Sequence, residues 1–578
     1  MDEKMNDIRV EYARWLERAD ESLQPELSAM AGDATALEDA FFQDLKFGTG
    51  GLRGTVGAGT SRLNVHTVAR ATQGLADYLN DRYECPSVAV CRDSRHLDWE
   101  FMQVVAGVLA ANGVAAWLYP RIEPTPALSF ATRYLHCSVG VNLTASHNPA
   151  AYNGYKVYAA DGCQITTEAA HDIQMAIGAV DVFDGVKLMN WQEALASGCV
   201  SFIGEDCVDA FLDGVAEQSL DLAPDTSLSV VYTPLNGTGQ ECVGRILDQI
   251  GNVDVTLVPE QSYPDGGFPT CPYPNPEIRE ALDRGLLLCG RVRPDLLLAT
   301  DPDCDRVGIA VRHDKEYRLL TGNEMGVLLC DYVARAERAA GSDVAGKVVL
   351  TTIVSSDMVD ALARDYGFQV RRTLTGFKFI GEQMGLLEKA GETDRFMFGF
   401  EESYGYLRGA HVHDKDAVVA SMLICQMARF YKIQGRGLVE AMDDLYQRYG
   451  YYKNALISVA YPGAGGAAAI ASIMAGLRED TSKEIAGLAV ESVVDYLPGL
   501  PMPVLNPKPG DQEQTLPASN VLEFHLSGGS KLVVRPSGTE PKVKAYLFIK
   551  AGTAQEADAL IKQLDTAARA LLAPEGRR

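Results

Sequence analysis

The sequence lacks the marks of a membrane, secreted or nucleic-acid-binding protein. Its longest uncharged stretches, 104–120 and 455–477, contain Gly, Pro, Asn or Ser and are richer in Ala and Val than in Leu and Ile, so neither is a membrane span. It has no long run of Lys or Arg, and its formal net charge of -25 would repel nucleic acid and anionic lipid. The first residues lack the apolar stretch of a secretory signal. We therefore expect a cytoplasmic protein that binds neither nucleic acid nor membranes.

The twelve cysteines follow no recognisable pattern. They are spread singly from Cys85 to Cys425, with no CxxC pair and no histidines at zinc-ligand spacing. This spacing excludes a zinc ribbon and a disulfide-stapled secreted domain. We expect reduced and mostly buried thiols.

The composition is that of an ordinary soluble globular protein. Hydrophobic residues make up 47% and charged residues 22% of the 578 residues. A chain of this length exceeds a single core, so about three to five domains are expected. Because the net charge is strongly negative, any anionic ligand must be held by a local basic pocket.

A strand-helix-strand pattern recurs three times, and each time a later strand runs into a polar loop. The strands predicted at 139–143, 296–299 and 396–400 precede loops that begin near Thr144, Asp301 and Glu401. Such strand ends are where open α/β sheets bind ligands. The pattern predicts three related α/β domains.

The C-terminal part follows a different pattern and predicts a smaller α+β domain. Antiparallel strands are expected at 521–526, 531–534 and 543–549, followed by a helix that opens with a capping box, Thr553 with Glu556. Residues 1–40 are expected to be helical and peripheral. The predicted domains are 1–205, 206–318, 319–450 and 451–578.

The loop TASHNP places a hydroxyl, Ser146, directly before His147 at the end of a strand. An activated nucleophile needs a tight turn with nearby donors, which Asn, Pro and Gly here favour. Taken alone, the serine could equally be a turn or helix-cap residue. The sequence around it is not a GxSxG elbow, so an α/β-hydrolase has little support.

Three carboxylates alternate in the next loop, at Asp301, Asp303 and Asp305. In a tight loop they can converge on one hard cation, and Mg²⁺ suits three carboxylates with room for water and a phosphoryl oxygen. An EF-hand would continue with Gly and Glu where Arg306 and Arg312 stand, so a calcium loop is excluded. An acidic turn without metal stays an alternative, although the flanking apolar residues argue against a solvated run.

Two further loops carry ligand-binding side chains. GFEESYGY offers acceptors for paired sugar hydroxyls, and RPSGTEPK combines a guanidinium, hydroxyls and glycine-permitted N–H groups that suit a phosphate. A solvated acidic turn and an ordinary Pro/Gly loop are the respective alternatives. The glycine-rich segment 48–55 lacks the GK[ST] ending of a nucleotide-binding P-loop.

Six motifs in this order, GTGGLRG, TASHNP, DPDCDRVG, LTGFKFIG, GFEESYGY and RPSGTEPK, resemble the alpha-D-phosphohexomutase family, and most closely its glucose-phosphate branch. The resemblance runs from about Leu45 to the C-terminal helix. It implies an α/β fold class, with three similar mixed-sheet α/β domains and a smaller C-terminal α+β domain around a central cleft. This agrees with the repeat described above.

The resemblance also implies roles for individual residues. Ser146 matches the serine that is phosphorylated and, with the three aspartates, holds Mg²⁺. The catalytic set that it implies is Ser146, His147, Lys378, Arg53 and Arg306, with the division of acid and base between His147 and Lys378 left open. The substrate-binding set that it implies is Glu401, Ser403, Lys415, Arg535, Ser537, Gly538 and Thr539.

The activity that the resemblance implies is interconversion of glucose 1-phosphate and glucose 6-phosphate, with Mg²⁺ as cofactor and glucose 1,6-bisphosphate as activator. Related branches act on mannose or pentose phosphates or make the bisphosphate itself, and these stay alternatives. A non-catalytic sugar-phosphate-binding protein and a metal-dependent phosphatase are further alternatives. The expected partner is a small sugar phosphate, and the expected oligomeric state is a monomer or homodimer.

Overall fold

The computed structural model describes residues 2–48, 50–461, 465–479, 482–538 and 542–573. Helices and strands alternate up to Tyr449, and strands dominate the rest of the chain. Among these residues no helix is both long enough and apolar enough to cross a membrane. All twelve cysteines are free thiols and ten of them are buried, as the sequence predicts.

The first part of the chain begins with three helices and continues into an α/β segment. Its elements are, in chain order, α1 (Asp2–Arg18), α2 (Gln24–Ala29), α3 (Ala34–Phe41), β1 (Gly51–Thr55), α4 (Val65–Asn80), β2 (Ser87–Arg92), α5 (Asp98–Ala111), β3 (Ala115–Leu118), α6 (Thr125–Tyr134), β4 (Val139–Leu143), β5 (Tyr152–Ala159), α7 (Thr167–Ala179), α8 (Trp191–Ala196) and β6 (Val200–Phe202).

Two more α/β segments follow. The elements of the first are α9 (Glu205–Ala216), β7 (Leu228–Thr233), α10 (Gly239–Gln249), β8 (Val253–Leu257), α11 (Asp283–Val292), β9 (Leu296–Thr300), β10 (Val307–His313) and β11 (Glu316–Leu320). Those of the second are α12 (Gly322–Ala339), β12 (Val348–Thr352), α13 (Met358–Tyr366), β13 (Gln369–Thr373), α14 (Phe377–Lys389), β14 (Phe396–Glu401), β15 (Gly405–Leu407), α15 (Ala417–Lys432) and α16 (Leu438–Tyr449).

The C-terminal segment is mostly strand. Its elements are β16 (Tyr451–Ala460), α17 (Gly466–Glu479), β17 (Glu484–Ile485), β18 (Leu488–Asp495), β19 (Leu500–Pro501), β20 (Val504–Leu505), β21 (Thr515–Leu516), β22 (Leu522–Leu526), β23 (Ser530–Pro536), β24 (Lys542–Ala551) and α18 (Ala554–Leu572).

The residues group into two compact units. Unit 1 comprises Met1–Leu319, Phe377–Thr393 and Gly405–Arg429. Unit 2 comprises Leu320–Gly376, Asp394–Tyr404 and Phe430–Arg578. Each has its own hydrophobic core, the larger one of unit 1 lying around β2, β4 and α5 and that of unit 2 between the C-terminal sheet, α17 and α18.

Two mixed sheets lie in unit 1. The first has the order β1-β5-β4-β2-β3-β6 and the second the order β11-β10-β9-β7-β8. In each, a central strand pairs in parallel with two neighbours, β2 with β3 and β4, and β7 with β8 and β9. An antiparallel strand then follows the loop at the end of β4 or β9. The chemically interesting loops therefore connect a buried parallel strand to an antiparallel one.

Unit 2 repeats this arrangement once and adds an antiparallel sheet. β12 lies between β13 and β14 and is parallel to both, and β20 pairs antiparallel with β13. The C-terminal sheet has the order β16-β24-β23-β22-β18-β17 with every neighbouring pair antiparallel. The predicted α/β repeat and the smaller C-terminal α+β part are both confirmed.

Candidate active site

Ser146 lies in a tight loop directly after β4, and its side chain is buried. Its φ is +53°, a left-handed conformation that residues other than glycine rarely adopt. The Thr144 hydroxyl accepts a hydrogen bond from the Ser146 N–H at 2.8 Å. Ser146 Oγ donates to Asp301 Oδ2 at 2.9 Å and lies 3.3 Å from His147 Nδ1. The serine and the acidic loop predicted from sequence are thus in direct contact within unit 1.

The three aspartates converge in the loop after β9. One carboxylate oxygen from each lies within 4.8 Å of the others, and all three residues are buried. The Asp301 Oδ1 atom accepts hydrogen bonds from the N–H groups of Asp305 and Arg306 at 3.1 and 3.0 Å, which closes the loop. Cys304 is fully buried, and its thiol lies beside Gly239, together with the hydroxyls of Tyr232 and Thr300.

The donor set fits a magnesium ion. Asp303 Oδ1 and Asp305 Oδ1 are buried and accept no hydrogen bond from any described residue. Hard carboxylate oxygens left without donors in a buried loop are the ligands that Mg²⁺ takes. Burial and the repulsion from Asp305 and Asp303 raise the pKa of Asp301 well above its usual value. A divalent cation at this position would offset that repulsion.

Two lysines and a threonine contact the same carboxylates. Lys156 on β5 lies 2.9 Å from Asp303, and Lys415 lies 2.8 Å from Asp305. Thr125, at the start of α6, donates to the Asp303 carboxylate at 3.0 Å and through its N–H to the Asp303 carbonyl at 2.8 Å. Burial would raise the pKa of Asp303, but Lys156 and Lys415 outweigh it and hold the pKa below its usual value.

Arg53, Arg306 and His147, which the resemblance places in the catalytic set, all lie in unit 1. Arg53 on β1 donates to Asn148 Oδ1 at 3.3 Å, and Arg306 forms an ion pair with Glu277 at 2.7 Å. Burial, together with Arg306 and Arg53, lowers the pKa of His147 well below its usual value.

Lys378 lies in the first turn of α14 and is mostly buried. Its carbonyl accepts a hydrogen bond from Cys163 Sγ at 3.2 Å, which ties α14 to the segment after β5. Burial lowers the pKa of the Lys378 amine below its usual value. A lowered pKa makes the ammonium group a better proton donor than that of an exposed lysine.

The predicted sugar and phosphate loops lie in unit 2. Glu401 ends β14 and is buried, and Ser403 follows two residues later. The Thr352 hydroxyl donates to Glu402 at 3.1 Å, and burial next to Glu401 raises the pKa of Glu402 to about 7.

In the other loop the Arg535 guanidinium donates to the Thr375 hydroxyl. The Ser537 N–H donates to the Lys542 carbonyl at 2.8 Å. A Cβ built at Gly538 would meet no atom of a described residue within 4 Å. Thr539 lies outside the described residues.

Sequence reasoning missed Lys156, Thr125 and Arg95. Lys156 stands in the segment that follows TASHNP, and a lysine on an otherwise apolar strand was the available signal. Thr125 and Arg95 give no such local signal. Their roles depend on contacts with Asp303 and the Ser146 loop, which only the folded chain brings close.

Known families and proteins match the chain over most of its length. The descriptions of the phosphoglucomutase/phosphomannomutase alpha/beta/alpha domains I, II and III match residues 44–181, 209–315 and 321–449. A phosphoglucomutase of Staphylococcus aureus (strain MSSA476) is 35% identical over 537 residues, which covers 93% of this chain and 95% of that protein.

Solved structures show the same fold. The open form of the Paramecium phosphoprotein pp63/parafusin, a phosphoglucomutase, has a TM-score of 0.65 and 18% identity and covers 91% of this chain and 95% of its own. The Aspergillus fumigatus N-acetylphosphoglucosamine mutase, solved with GlcNAc-6P and magnesium, has a TM-score of 0.51 and 16% identity and covers 92% of this chain and 97% of its own.

Proposed function

The chain belongs to the phosphoglucomutase/phosphomannomutase family of alpha-D-phosphohexomutases. We propose that it interconverts glucose 1-phosphate and glucose 6-phosphate through a phosphoserine at Ser146. One observation carries the proposal. The Ser146 hydroxyl lies 2.9 Å from Asp301, which belongs to a buried cluster of three carboxylates. A nucleophile is thus in contact with a candidate cation site. Phosphoryl transfer depends mainly on a positioned acceptor oxygen and on cations that offset the negative charge of the phosphoryl oxygens.

Ser146, Asp301, Asp303 and Asp305 are the residues that would hold Mg²⁺. When bound, the ion supplies a Lewis acid that offsets the charge on the oxygens of the transferring phosphoryl group. Arg53, Lys156, Arg306 and Lys415 provide the fixed positive charge around the same group. The glucose 1,6-bisphosphate activator would serve to phosphorylate resting Ser146.

The proposed reaction consists of two phosphoryl transfers. In the first, the bond from phosphorus to Ser146 Oγ breaks, a bond from phosphorus to the free sugar hydroxyl forms, and the hydroxyl proton passes to a base. Ser146 Oγ takes up a proton as it leaves, and the product is a hexose 1,6-bisphosphate, which turns over. In the second transfer Ser146 Oγ gives up its proton and bonds to the other phosphorus. The bond from that phosphorus to the sugar oxygen breaks, and the sugar oxygen takes up a proton. His147 and Lys378 are the groups that we propose for the proton transfers.

The loops of unit 2 supply recognition. We propose that Glu401 and Ser403 bind sugar hydroxyls and that Arg535, Ser537, Gly538 and Thr539 bind the phosphate that is not reacting. Because the bisphosphate turns over, the same phosphate site must accept the group from either end of the sugar. The cytoplasmic location and the monomeric or homodimeric state remain predictions.

The test couples glucose 6-phosphate formation to glucose 6-phosphate dehydrogenase, with Mg²⁺ and a trace of glucose 1,6-bisphosphate. We expect turnover by the wild type, none by Ser146→Ala, and an intact-mass species heavier by about 80 Da that maps to Ser146. Mutase activity of Ser146→Ala near the wild-type value would refute the covalent mechanism.

The same assay separates the alternatives. A higher kcat/KM for mannose, ribose or deoxyribose phosphate would assign another branch of the family. Accumulation of the bisphosphate would assign a synthase, and release of inorganic phosphate faster than isomerisation would assign a phosphatase. Binding of sugar phosphate without any turnover would assign a non-catalytic protein.

A further inference from the structure

We propose that Arg95 is a positioning residue that fixes the loop carrying Ser146. Its guanidinium donates four hydrogen bonds to carbonyl oxygens, three of them in that loop and the fourth at the first residue of β5. Nη2 donates to the carbonyls of Ser146 at 2.7 Å and Asn148 at 2.5 Å, and Nη1 donates to those of Pro149 at 2.8 Å and Tyr152 at 2.7 Å. Arg95 is 1% exposed, so this donor set faces the loop and not solvent.

A second chain of contacts holds Arg95 and the loop together. The Arg95 N–H donates to Asp93 Oδ1 at 3.0 Å, and the guanidinium lies 3.2 Å from Asp93 Oδ2. The Thr144 hydroxyl donates to the same Asp93 carboxylate at 2.6 Å and accepts from the Ser146 N–H at 2.8 Å. The Phe268 ring lies 5.2 Å from the guanidinium. Asp93 thus links the arginine to the serine through a single threonine.

The loop needs such support because of its backbone. Ser146 has a φ of +53°, and a residue with a β-carbon keeps this conformation only when its surroundings determine it. A guanidinium presents five donors in a rigid fork, whereas a lysine amine presents three around one atom. Lysine at position 95 would keep the charge next to Asp93 but could not span carbonyls from Ser146 to Tyr152.

This inference rests on the proposed function, because it concerns the direction in which Ser146 Oγ points during phosphoryl transfer. Displacing a reacting atom by about 1 Å costs on the order of 100-fold in rate. The residues proposed to bind the sugar and its distant phosphate lie in other loops. Loss of Arg95 should therefore lower kcat far more than it raises KM.

The chain offers a matched control in Arg429. It is equally buried, lies 2.9 Å from Asp221, and donates to the carbonyls of Pro224 and Gly251 at 3.2 and 2.6 Å. Arg429→Lys therefore removes a buried guanidinium that binds backbone carbonyls, as Arg95→Lys does, but at a site outside the Ser146 loop.

The experiment compares Arg95→Lys with Arg429→Lys in the full chain, by steady-state kinetics and by hydrogen exchange of the peptide spanning 144–153 without substrate. For Arg95→Lys we expect a kcat about 100-fold lower, a KM within about threefold of wild type, and faster exchange in this peptide. For Arg429→Lys we expect a kcat within about threefold of wild type and no change in the peptide. Equal effects of the two variants on kcat and exchange would overturn the proposal.

A second variant covers the case in which Arg95→Lys does not fold. Thr144→Val keeps the shape of the side chain and removes the hydroxyl between Asp93 and Ser146, and it should also lower kcat and speed exchange of the loop. Wild-type exchange protection and kcat in a folded Thr144→Val variant would overturn the proposal. The exchange measurement needs no substrate, so a wild type without mutase activity would refute the proposed function while leaving the positioning test readable.

Discussion

At the residue scale, the acidic loop is held by cations from the chain itself. Lys156 faces Asp303 at 2.9 Å and Asp305 at 3.9 Å, and Lys415 faces Asp305 at 2.8 Å. Buried carboxylates are costly unless charges or hydrogen bonds compensate them. The same amines would repel a divalent cation, so we expect them to limit how tightly the proposed site binds Mg²⁺.

Replacing Lys156 by methionine should therefore tighten Mg²⁺ binding while it lowers kcat. Removing one positive charge from the carboxylate cluster should lower the Kd for Mg²⁺ by roughly tenfold, and the phosphoryl group loses a nearby cation. Isothermal titration of the protein with MgCl₂ measures the Kd. Lys531→Met is the matched control, because Lys531 is also buried and faces two carboxylates, Asp357 at 3.0 Å and Glu523 at 3.6 Å. Weaker Mg²⁺ binding by Lys156→Met would contradict this account.

Glu123 gives a pH dependence of stability outside the acidic triad. Burial raises its pKa to about 7, against the opposing effect of Arg121. This value lies above the reference value of 4.5, so between about pH 4.5 and 7 the folded state binds more protons than the unfolded state. The contribution of Glu123 to stability therefore rises as the pH falls through that window.

Glu123→Gln should remove this slope. The free energy of unfolding of the wild type minus that of the variant should be larger at pH 5 than at pH 8, by roughly 1–3 kcal/mol. Urea titrations at the two pH values measure it. Glu205→Gln, an exposed partner of the same Arg121 at 3.1 Å, should show a much smaller change. A difference of the opposite sign would show that the Arg121 ion pair dominates.

The individual site residues could be predicted from sequence where the chemistry is local. The three aspartates alternate within one short loop, so the sequence pattern itself indicated that their carboxylates converge. Ser146 is far from them in the chain, and its contact with Asp301 depends on the fold. Lys156 reaches Asp303 only because β5 returns antiparallel beside β4, and Arg95 reaches the Ser146 loop from the end of β2. Such pairings have no signature in a single sequence.

At the element scale, Asn64 joins a helix to the turn after β1. Its side-chain oxygen accepts from the N–H groups of His66 and Thr67 at 3.1 and 3.0 Å, which caps α4. Its amide also donates to the carbonyls of Gly57 and Gly59 at 2.8 and 3.0 Å. The turn that Asn64 holds leads back along the chain to β1, where Arg53 lies.

Asn64→Ala should therefore cost more stability than the loss of a helix cap alone. We expect about 2–4 kcal/mol, since the cap contributes about 1 kcal/mol and two buried carbonyls lose their donor. Asn190→Ala is the matched control, because Asn190 caps α8 with a capping box of its own at the surface, and it should cost about 1 kcal/mol. Chemical denaturation measures both, and equal costs would show that the amide contacts contribute nothing.

Elements with strong local patterns were predicted, and those defined by distant partners were not. The helices before residue 42 and the three C-terminal strands are found where the sequence places them. Thr553 caps α18 as predicted, but Glu556 accepts from the Gly552 N–H, so only half of the capping box forms. The long strand β16 and helix α17 were missed, because β16 is defined by its ten-residue pairing with β24 far along the chain.

At the scale of the whole molecule, the threefold α/β repeat followed from the recurrence of one pattern, and so did the different C-terminal sheet. The three boundaries between the four predicted domains, at 205, 318 and 450, remain predictions. Each of the two compact units combines chain segments that are far apart in the sequence. Which segments pack together cannot be deduced from a local sequence pattern.

The two units should unfold in separate transitions, because each has its own core and chains of this size rarely unfold in one step. All four tryptophans, Trp15, Trp99, Trp117 and Trp191, lie in unit 1, as does every cysteine except Cys330. Tryptophan fluorescence in urea therefore reports on unit 1, whereas far-ultraviolet circular dichroism reports on both units.

Two buried helical thiols make this prediction specific to each unit. Cys289 on α11 lies in unit 1 and Cys330 on α12 lies in unit 2, and both are fully buried, so each reacts only when its own surroundings open. Pulse labelling with iodoacetamide and peptide mass spectrometry measures both along one urea series. We expect the Cys289 midpoint to coincide with the fluorescence midpoint and the Cys330 midpoint to differ from it. Coincidence of all three would mean that the two cores unfold as one cooperative body.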